Sequence, residues 1–221
     1  MSSAGAAVVF LGPSLSHETA SMILPAADIR PPARRGDLDA VDAGIYGEVI
    51  LIDGVMVYDH PPSPSETWRL LDRGIRVSGA ASLGALRAVE LRWLGMRGFG
   101  WVFEAYRSGR VTADDELVAR LDPRTGGAET LFLINIRYAA EHLAGVGRLE
   151  PLHAARLLTD LSALPFEERT PAELSRASKA CGIEADVAAD LANPRFDIKA
   201  RDAEGCLSIV ARALAGREAA Q

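Results

Sequence analysis

The sequence predicts an α/β protein, with a short parallel sheet flanked by helices in the N-terminal half and an all-helical C-terminal part. Short apolar runs alternate with helical patterns from residue 6 to residue 95, which is typical of parallel strands joined by right-handed crossovers. Beyond residue 95 only helical patterns occur. We therefore expect an α/β core over residues 1–110 and a helical extension packed on it over residues 111–221, with no hard boundary between them, so that a single domain is the alternative.

Three apolar runs are the candidate strands, at residues 6–11, 48–52 and 75–78. Continuous hydrophobicity over five or six residues, bounded by turn residues, is typical of a strand buried on both faces. The segment 26–37 carries Pro31-Pro32 and Gly36, and these residues predict an irregular loop.

The clearest helix start is Ser63-Pro64-Ser65-Glu66, which combines a serine N-cap, proline at the first helical position and glutamate at N3. This helix should end near Asp72. The other predicted helices cover residues 16–24, 37–43, 82–95, 99–108, 114–120, 130–143, 152–161, 171–180 and 206–214.

The composition of the chain excludes several classes of function. The net charge of −6 argues against nucleic-acid binding, which needs a dominant basic surface. No uncharged apolar run of about 18 residues occurs and no signal peptide is recognisable, so a cytoplasmic protein without membrane association is expected. The two cysteines lack metal-ligand spacing, and neither nucleotide-binding glycine motif is present. No metal or cofactor is therefore predicted.

A serine stands where the third predicted strand meets its helix. Ser82 follows Gly79-Ala80-Ala81 and precedes Gly84, so small residues surround it. Ligands of open parallel sheets bind at the carboxyl ends of strands, and a helix N-terminus there stabilises an oxyanion. The pattern A-x-S-x-G has the logic of a nucleophile elbow. An N-cap serine that binds only its own helix, or a phosphate-binding turn, fits the same letters.

Several phrases together resemble the TfuA-like proteins in order and spacing. The resemblance covers roughly residues 8 to 145, and the stretch GAASLGALRA at residues 79–88 is its most specific part. The other matching phrases are Phe10-Leu11-Gly12-Pro13-Ser14-Leu15, Arg30-Pro31-Pro32-Ala33, Gly36-Asp37, Ile52-Asp53-Gly54, Glu90-Leu91, Gly95-Met96 to Gly100, Asp114-Asp115-Glu116 and Asn135-Ile136-Arg137.

The resemblance implies a function. TfuA-like proteins are partners of YcaO enzymes, which use ATP to activate a peptide-bond oxygen and, in this branch, replace it by sulfur. They are understood to hydrolyse the thiocarboxylated C-terminus of a ubiquitin-like ThiS-type sulfur carrier, to pass sulfide to the YcaO enzyme and to strengthen its grip on the precursor peptide. Their catalytic pair is a serine and a lysine. The resemblance implies that Ser82 is the nucleophile, with the N–H groups of Leu83 and Gly84, beside Gly79, meeting the oxyanion.

The sequence departs from the family at one position. Many relatives carry His-Lys-Glu where this chain has Pro64-Ser65-Glu66, and its only lysines, Lys179 and Lys199, lie outside the resemblance. His60 and His17, both expected at the carboxyl edge of the sheet, are the candidate bases, although a structural or solvated role fits each as well.

Four further residues are candidates for contacting the substrate: Arg87, Asp53, Gly12 and Ser65. Arg87 could hold the carrier's tail or pair with Glu90 three residues later. Asp53 could orient a base or cap a turn. Two hypotheses result: a serine hydrolase that acts on the carrier thiocarboxylate, or a binding module that only activates a YcaO enzyme or recruits its peptide.

Overall fold

The structure is a computed structural model that describes residues 6–57 and 59–220, with only the backbone of Glu218. The chain forms two compact units. The first, called here the sheet unit, extends to Thr112 and resumes at Lys199. The second, the helical unit, covers Ala113–Ile198. The last part of the chain thus groups with the N-terminal half.

The sheet unit contains a five-stranded, fully parallel sheet, which confirms the predicted fold class. The strand order is β2-β1-β3-β4-β5. Its strands are β1 (Ala6–Phe10), β2 (Asp28–Arg30), β3 (Tyr46–Leu51), β4 (Arg76–Ala80) and β5 (Arg97–Phe99).

Two of these strands were not predicted. β2 lies inside the segment expected to be an irregular loop, and β5 lies where no further strands were expected. Both are three residues long, half-buried and at the sheet edges. A segment this short and this polar carries no readable hydrophobic period, and its backbone pairing with a longer neighbour creates the strand.

The helices, in chain order, are α1 (His17–Ile23), α2 (Pro64–Asp72), α3 (Leu83–Leu91), α4 (Gly100–Arg107), α5 (Leu133–Gly145), α6 (Pro151–Ser162), α7 (Pro171–Ala180), α8 (Ala185–Leu191) and α9 (Ile198–Glu218). The capping box before α2 is confirmed, because Ser63 and Glu66 exchange both expected hydrogen bonds. A short 3₁₀ turn, Arg92–Leu94, continues α3 to the end of its predicted span.

Three helix predictions need correction. Residues 37–43 form turns and irregular backbone but no helix, and the carboxylate of Asp37 accepts the N–H of Arg34 (2.7 Å). Only a 3₁₀ turn, Asp114–Leu117, forms within 114–120. The helix predicted at 206–214 is more than twice as long, because α9 extends beyond the predicted span at both ends. α8 was not predicted.

α9 covers one face of the sheet. Its buried residues Ala203, Cys206, Leu207 and Val210 belong to a cluster that contains residues of β1, β3 and β4. At its far end Arg217 pairs with Glu48 near the amino end of β3 (3.1 Å). The helix therefore runs antiparallel to the strands.

The helical unit has its own core, formed by α5 to α8. Two ion pairs fix the 3₁₀ turn at its start: Arg137 of α5 pairs with buried Glu116, and buried Arg169 pairs with partly exposed Asp115. This unit carries nine basic and fifteen acidic residues, so its formal charge of −6 equals that of the whole chain. Among the described residues no helix is both long enough and apolar enough to cross a bilayer.

Candidate functional site

The loops that follow β1 and β3 are joined at the carboxyl edge of the sheet by Asp53. Its buried carboxylate accepts the N–H of Gly12 (2.9 Å), the N–H of Ser14 (3.1 Å) and the hydroxyl of Ser14 (2.7 Å). Three donors satisfy it without any cation. Of the two roles considered for Asp53, the geometry matches the capping of a turn, and it engages the N–H of Gly12 in the same turn.

Ser82 follows β4 in a strained turn. Ala81 has a φ of 66° and is the one non-glycine residue with positive φ in the described part of the chain. The N–H of Ser82 donates to the carbonyl of Ala80 (2.7 Å), which closes a three-residue γ-turn. A left-handed non-glycine residue of this kind costs about 1–2 kcal/mol and is concentrated at functional sites.

The hydroxyl of Ser82 does not cap its own helix. Ser82 occupies the N-cap position of α3, but its φ of −134° and ψ of −127° lie outside the usual N-cap region, and its side chain makes no capping hydrogen bond. Ser82 is 3% exposed. Ser16 and Ser63, by contrast, bind the N–H groups of their helices. The capping alternative for Ser82 is therefore not realised in this structure.

Of the two N–H groups expected to meet an oxyanion, one is occupied. The N–H of Gly84 donates to the carbonyl of Ile52 (3.2 Å). The N–H of Leu83 has no hydrogen-bond partner among residues 6–57 and 59–220. An oxyanion at the start of α3 would thus be met by Leu83 and not by Gly84.

The glycines around Ser82 serve helix packing. A Cβ on Gly84 would lie 1.7 Å from the carbonyl oxygen of Leu51, and one on Gly79 would lie 2.1 Å from the carbonyl oxygen of Gly84. Glycine at both positions lets the first turn of α3 touch the backbones of β3 and β4. Gly79 is therefore a packing residue that fixes the position of the Ser82 turn.

Neither candidate histidine is bonded to Ser82 in the described structure. His17 is exposed at the start of α1, and its Nδ1 lies 3.3 Å from the hydroxyl of Ser21. It lines a cavity of about 290 Å³ beside Gly12 and Arg30. His60 is exposed, and its carbonyl accepts the N–H of Arg35 (2.9 Å).

The guanidinium group of Arg87 is bound to neighbouring residues of the sheet unit. Its Nε and Nη2 donate to the carbonyl of Pro62 (3.1 and 2.8 Å), and its Nη1 pairs with Glu90 (2.9 Å). These contacts fix the loop before α2 and give no support to the role of holding the carrier's tail. Ser65 is exposed on the first turn of α2.

The start of α9 lies at the same edge of the sheet as Ser82. The buried carboxylate of Asp202 accepts the N–H groups of Trp101 (2.9 Å) and Val102 (2.7 Å) in the first turn of α4. α4 follows β5 directly, and β5 pairs with β4 beside the Ser82 turn. Burial raises the pKa of Asp202 to about 6, although the two N–H groups oppose this shift.

Lys199 is the functional candidate that the sequence reading missed. It is 1% exposed and precedes Asp202 and Ala203 by three and four residues, so it lies on the buried face of α9 at the carboxyl edge of the sheet. The available signal was the helical spacing of residues 199, 203, 206, 207 and 210. The proline and the charges that precede this stripe masked it.

Comparison with known proteins identifies the family. The family model for TfuA-like protein matches residues 53–170, which include the Ser82 turn and most of the helical unit. No curated protein matches the sequence. Because the family match covers just over half of the 221 residues, the chain belongs to the TfuA-like family.

Proposed function

We propose that this protein is a serine hydrolase that releases sulfide from a thiocarboxylated, ubiquitin-like carrier protein of the ThiS type. The observation that carries the proposal is the Ser82 turn: a serine at a helix N-terminus whose hydroxyl does not cap the helix and whose preceding residue has a strained backbone. A structural N-cap requires neither feature. The substrate class is the one that the resemblance to TfuA-like proteins implies, and membership in that family supports it.

The chemistry needs one nucleophile, one base and one oxyanion donor. The Oγ of Ser82 attacks the thiocarboxylate carbon while a base takes its proton. The base returns that proton to the departing sulfur, the carbon–sulfur bond breaks, sulfide leaves as HS⁻, and an acyl-serine remains. Water then attacks the ester, the base takes the water proton, and that proton returns to the Oγ of Ser82. The products are the carrier carboxylate and sulfide.

The oxyanion of both tetrahedral intermediates is assigned to the N–H of Leu83, with the N-terminal dipole of α3 behind it. Removal of one such donor typically lowers the rate by about a hundredfold or more. A thiolate leaves more readily than an amine. Hydrolysis of the thiocarboxylate therefore needs less stabilisation of the oxyanion than peptide hydrolysis does, and a single donor is enough.

Lys199 is the base that we favour. It lies at the carboxyl edge on the helix that covers β4, and lysine serves as a general base where its surroundings hold it neutral. His17 and His60 remain candidates, but both are exposed and their described contacts are with other residues. The expected user of the sulfide is a YcaO enzyme, and its precursor peptide is a further expected partner.

The test is intact-mass spectrometry of a thiocarboxylated ThiS-type carrier incubated with the protein alone. We expect the wild type to convert thiocarboxylate to carboxylate, and Ser82→Ala and Lys199→Met to lower the rate by at least about a hundredfold. Ser175→Ala, at an exposed serine on α7 of the helical unit, is the matched control and should keep the full rate. His17→Ala and His60→Ala test the other bases.

Two results would contradict the proposal. An unchanged rate in Ser82→Ala would show that Ser82 is not the nucleophile. No conversion by the wild type, with or without a YcaO partner, combined with tighter peptide binding by that partner, would establish the binding-module alternative. Loss of activity in a histidine variant, with Lys199→Met unaffected, would assign the role of base to that histidine and leave the rest of the proposal unchanged.

A further inference from the structure

A second polar cluster lies at the amino edge of the sheet, one strand length away from Ser82. Its centre is Glu48, whose side chain is fully buried. Three arginines reach it from three different elements: Arg76 at the start of β4, Arg97 at the start of β5 and Arg217 near the end of α9. The length of β4, roughly 13 Å, separates this cluster from the Ser82 turn.

The cluster holds more positive than negative charge. Glu48 accepts Nε of Arg76 (2.8 Å), Nη2 of Arg217 (3.1 Å), Nη2 of Arg97 and the hydroxyl of Ser78 (3.2 Å). Within the described residues, none of the three arginines pairs with another carboxylate. Among the residues that the structure describes, one carboxylate faces three guanidinium groups, so a formal excess of two positive charges remains there.

The hydrogen bonds of these arginines are also incomplete. Nε of Arg97 and Nε of Arg217 are buried, and neither has an acceptor among the described residues. All the acceptor positions of Glu48 are already used by four donors. The described residues therefore do not supply enough acceptors for the guanidinium groups that they bring together.

The cluster is open to solvent on one side. The side chains of Arg76, Arg97 and Arg217 are 39%, 37% and 31% exposed, whereas that of Glu48 is not exposed at all. An anion can approach the guanidinium groups from outside, with Glu48 behind them. Glu48 fixes the three side chains in one place, which spares the ligand the entropic cost of gathering them.

We propose that Arg76, Arg97 and Arg217 form a binding site for a phosphate-type oxyanion. A phosphate dianion matches the excess of two charges, and its oxygens accept the paired N–H groups of guanidinium. A monocarboxylate would neutralise only half of the excess. This site is distinct from Ser82 and does not depend on the proposed hydrolase activity.

The experiment is calorimetric titration of the full chain with inorganic phosphate at fixed ionic strength, with sodium chloride and acetate as comparison ligands. We expect phosphate to bind and chloride and acetate to give no saturable heat. Arg97→Gln and Arg217→Gln should each weaken phosphate binding at least about tenfold, because each removes charge-assisted hydrogen bonds. Arg69→Gln is the matched control: Arg69 pairs with exposed Asp39 on the same unit, and phosphate binding should not change.

Circular dichroism must show that each variant is folded, and Arg217→Gln, near the end of the last helix, covers the case in which Arg97→Gln does not fold. Phosphoserine as a second ligand separates free phosphate from a phosphate ester, since only a site open enough for the ester will bind both. No saturable phosphate binding by the wild type, or equal affinity in the folded Arg97 and Arg217 variants, would overturn the proposal.

Discussion

Replacing Gly84 by alanine should destabilise the sheet unit although alanine is the better helix former. The added Cβ would lie 1.7 Å from the carbonyl oxygen of Leu51, and real Cβ atoms keep at least 3.0 Å from such an atom. The nearest atoms to the added Cβ all belong to the backbone, so no neighbouring side chain can turn away to make room. The first turn of α3 must move by roughly 1 Å or more, in an interior that is close-packed.

The magnitude follows from three contributions. Overpacking of this kind costs up to about 3 kcal/mol. Loss of the hydrogen bond from the N–H of Gly84 to Ile52 costs about another 1 kcal/mol. The intrinsic helix preference of alanine over glycine returns about 1 kcal/mol. We expect Gly84→Ala to lower the free energy of unfolding by about 3 kcal/mol.

The assay is urea denaturation followed by tryptophan fluorescence, because all three tryptophans lie in the sheet unit. Gly205→Ala is the matched control: Gly205 is also helical, but a Cβ there meets nothing within 4 Å. It should raise stability by about 0.5–1 kcal/mol. If Gly84→Ala and Gly205→Ala changed stability by the same amount, the packing argument for α3 would be refuted.

Three further predictions concern stability. Because burial raises the pKa of Asp202 to about 6, the folded chain keeps a proton that the unfolded chain releases near pH 4, so this group's contribution to stability falls as pH rises from about 4 to 6. Over that range the free energy of unfolding of the wild type should fall by up to about 3 kcal/mol relative to that of Asp202→Asn. Urea denaturation at several pH values measures both, and parallel pH profiles of the two proteins would contradict this prediction. Glu48→Gln should lower the free energy of unfolding by about 3–5 kcal/mol, because it leaves three guanidinium groups without their carboxylate. Thermal unfolding measures this loss. A loss below about 1 kcal/mol would show that the arginines do not depend on the Glu48 carboxylate. Ala81→Gly should change stability by less than about 1 kcal/mol, since relief of the left-handed backbone offsets the lost methyl group and the extra chain entropy, whereas Ala81→Val should cost more than about 2 kcal/mol; equal effects of the two would argue against strain at this turn.

The sequence determined the elements whose signals are local. The alternation of buried strands with helices predicted the parallel sheet, because continuous apolar runs of five or six residues fit strands covered on both faces. The capping box at Ser63 was predicted to the residue, since its two hydrogen bonds join positions three apart. The position of Ser82 between β4 and α3 followed in the same way.

The tertiary structure decided everything that depends on residues distant in sequence. β2 and β5 are too short to carry a period of their own and exist because they pair with β1 and β4. The sequence allowed Ser82 to be an N-cap, and only its backbone angles and the missing capping hydrogen bond exclude that role. Lys199 lies 117 positions after Ser82, and only the packing of α9 brings the start of that helix to the edge of the sheet where Ser82 lies. Sequence patterns report neighbours within a turn or two, whereas a site is assembled by packing between elements that the chain visits far apart.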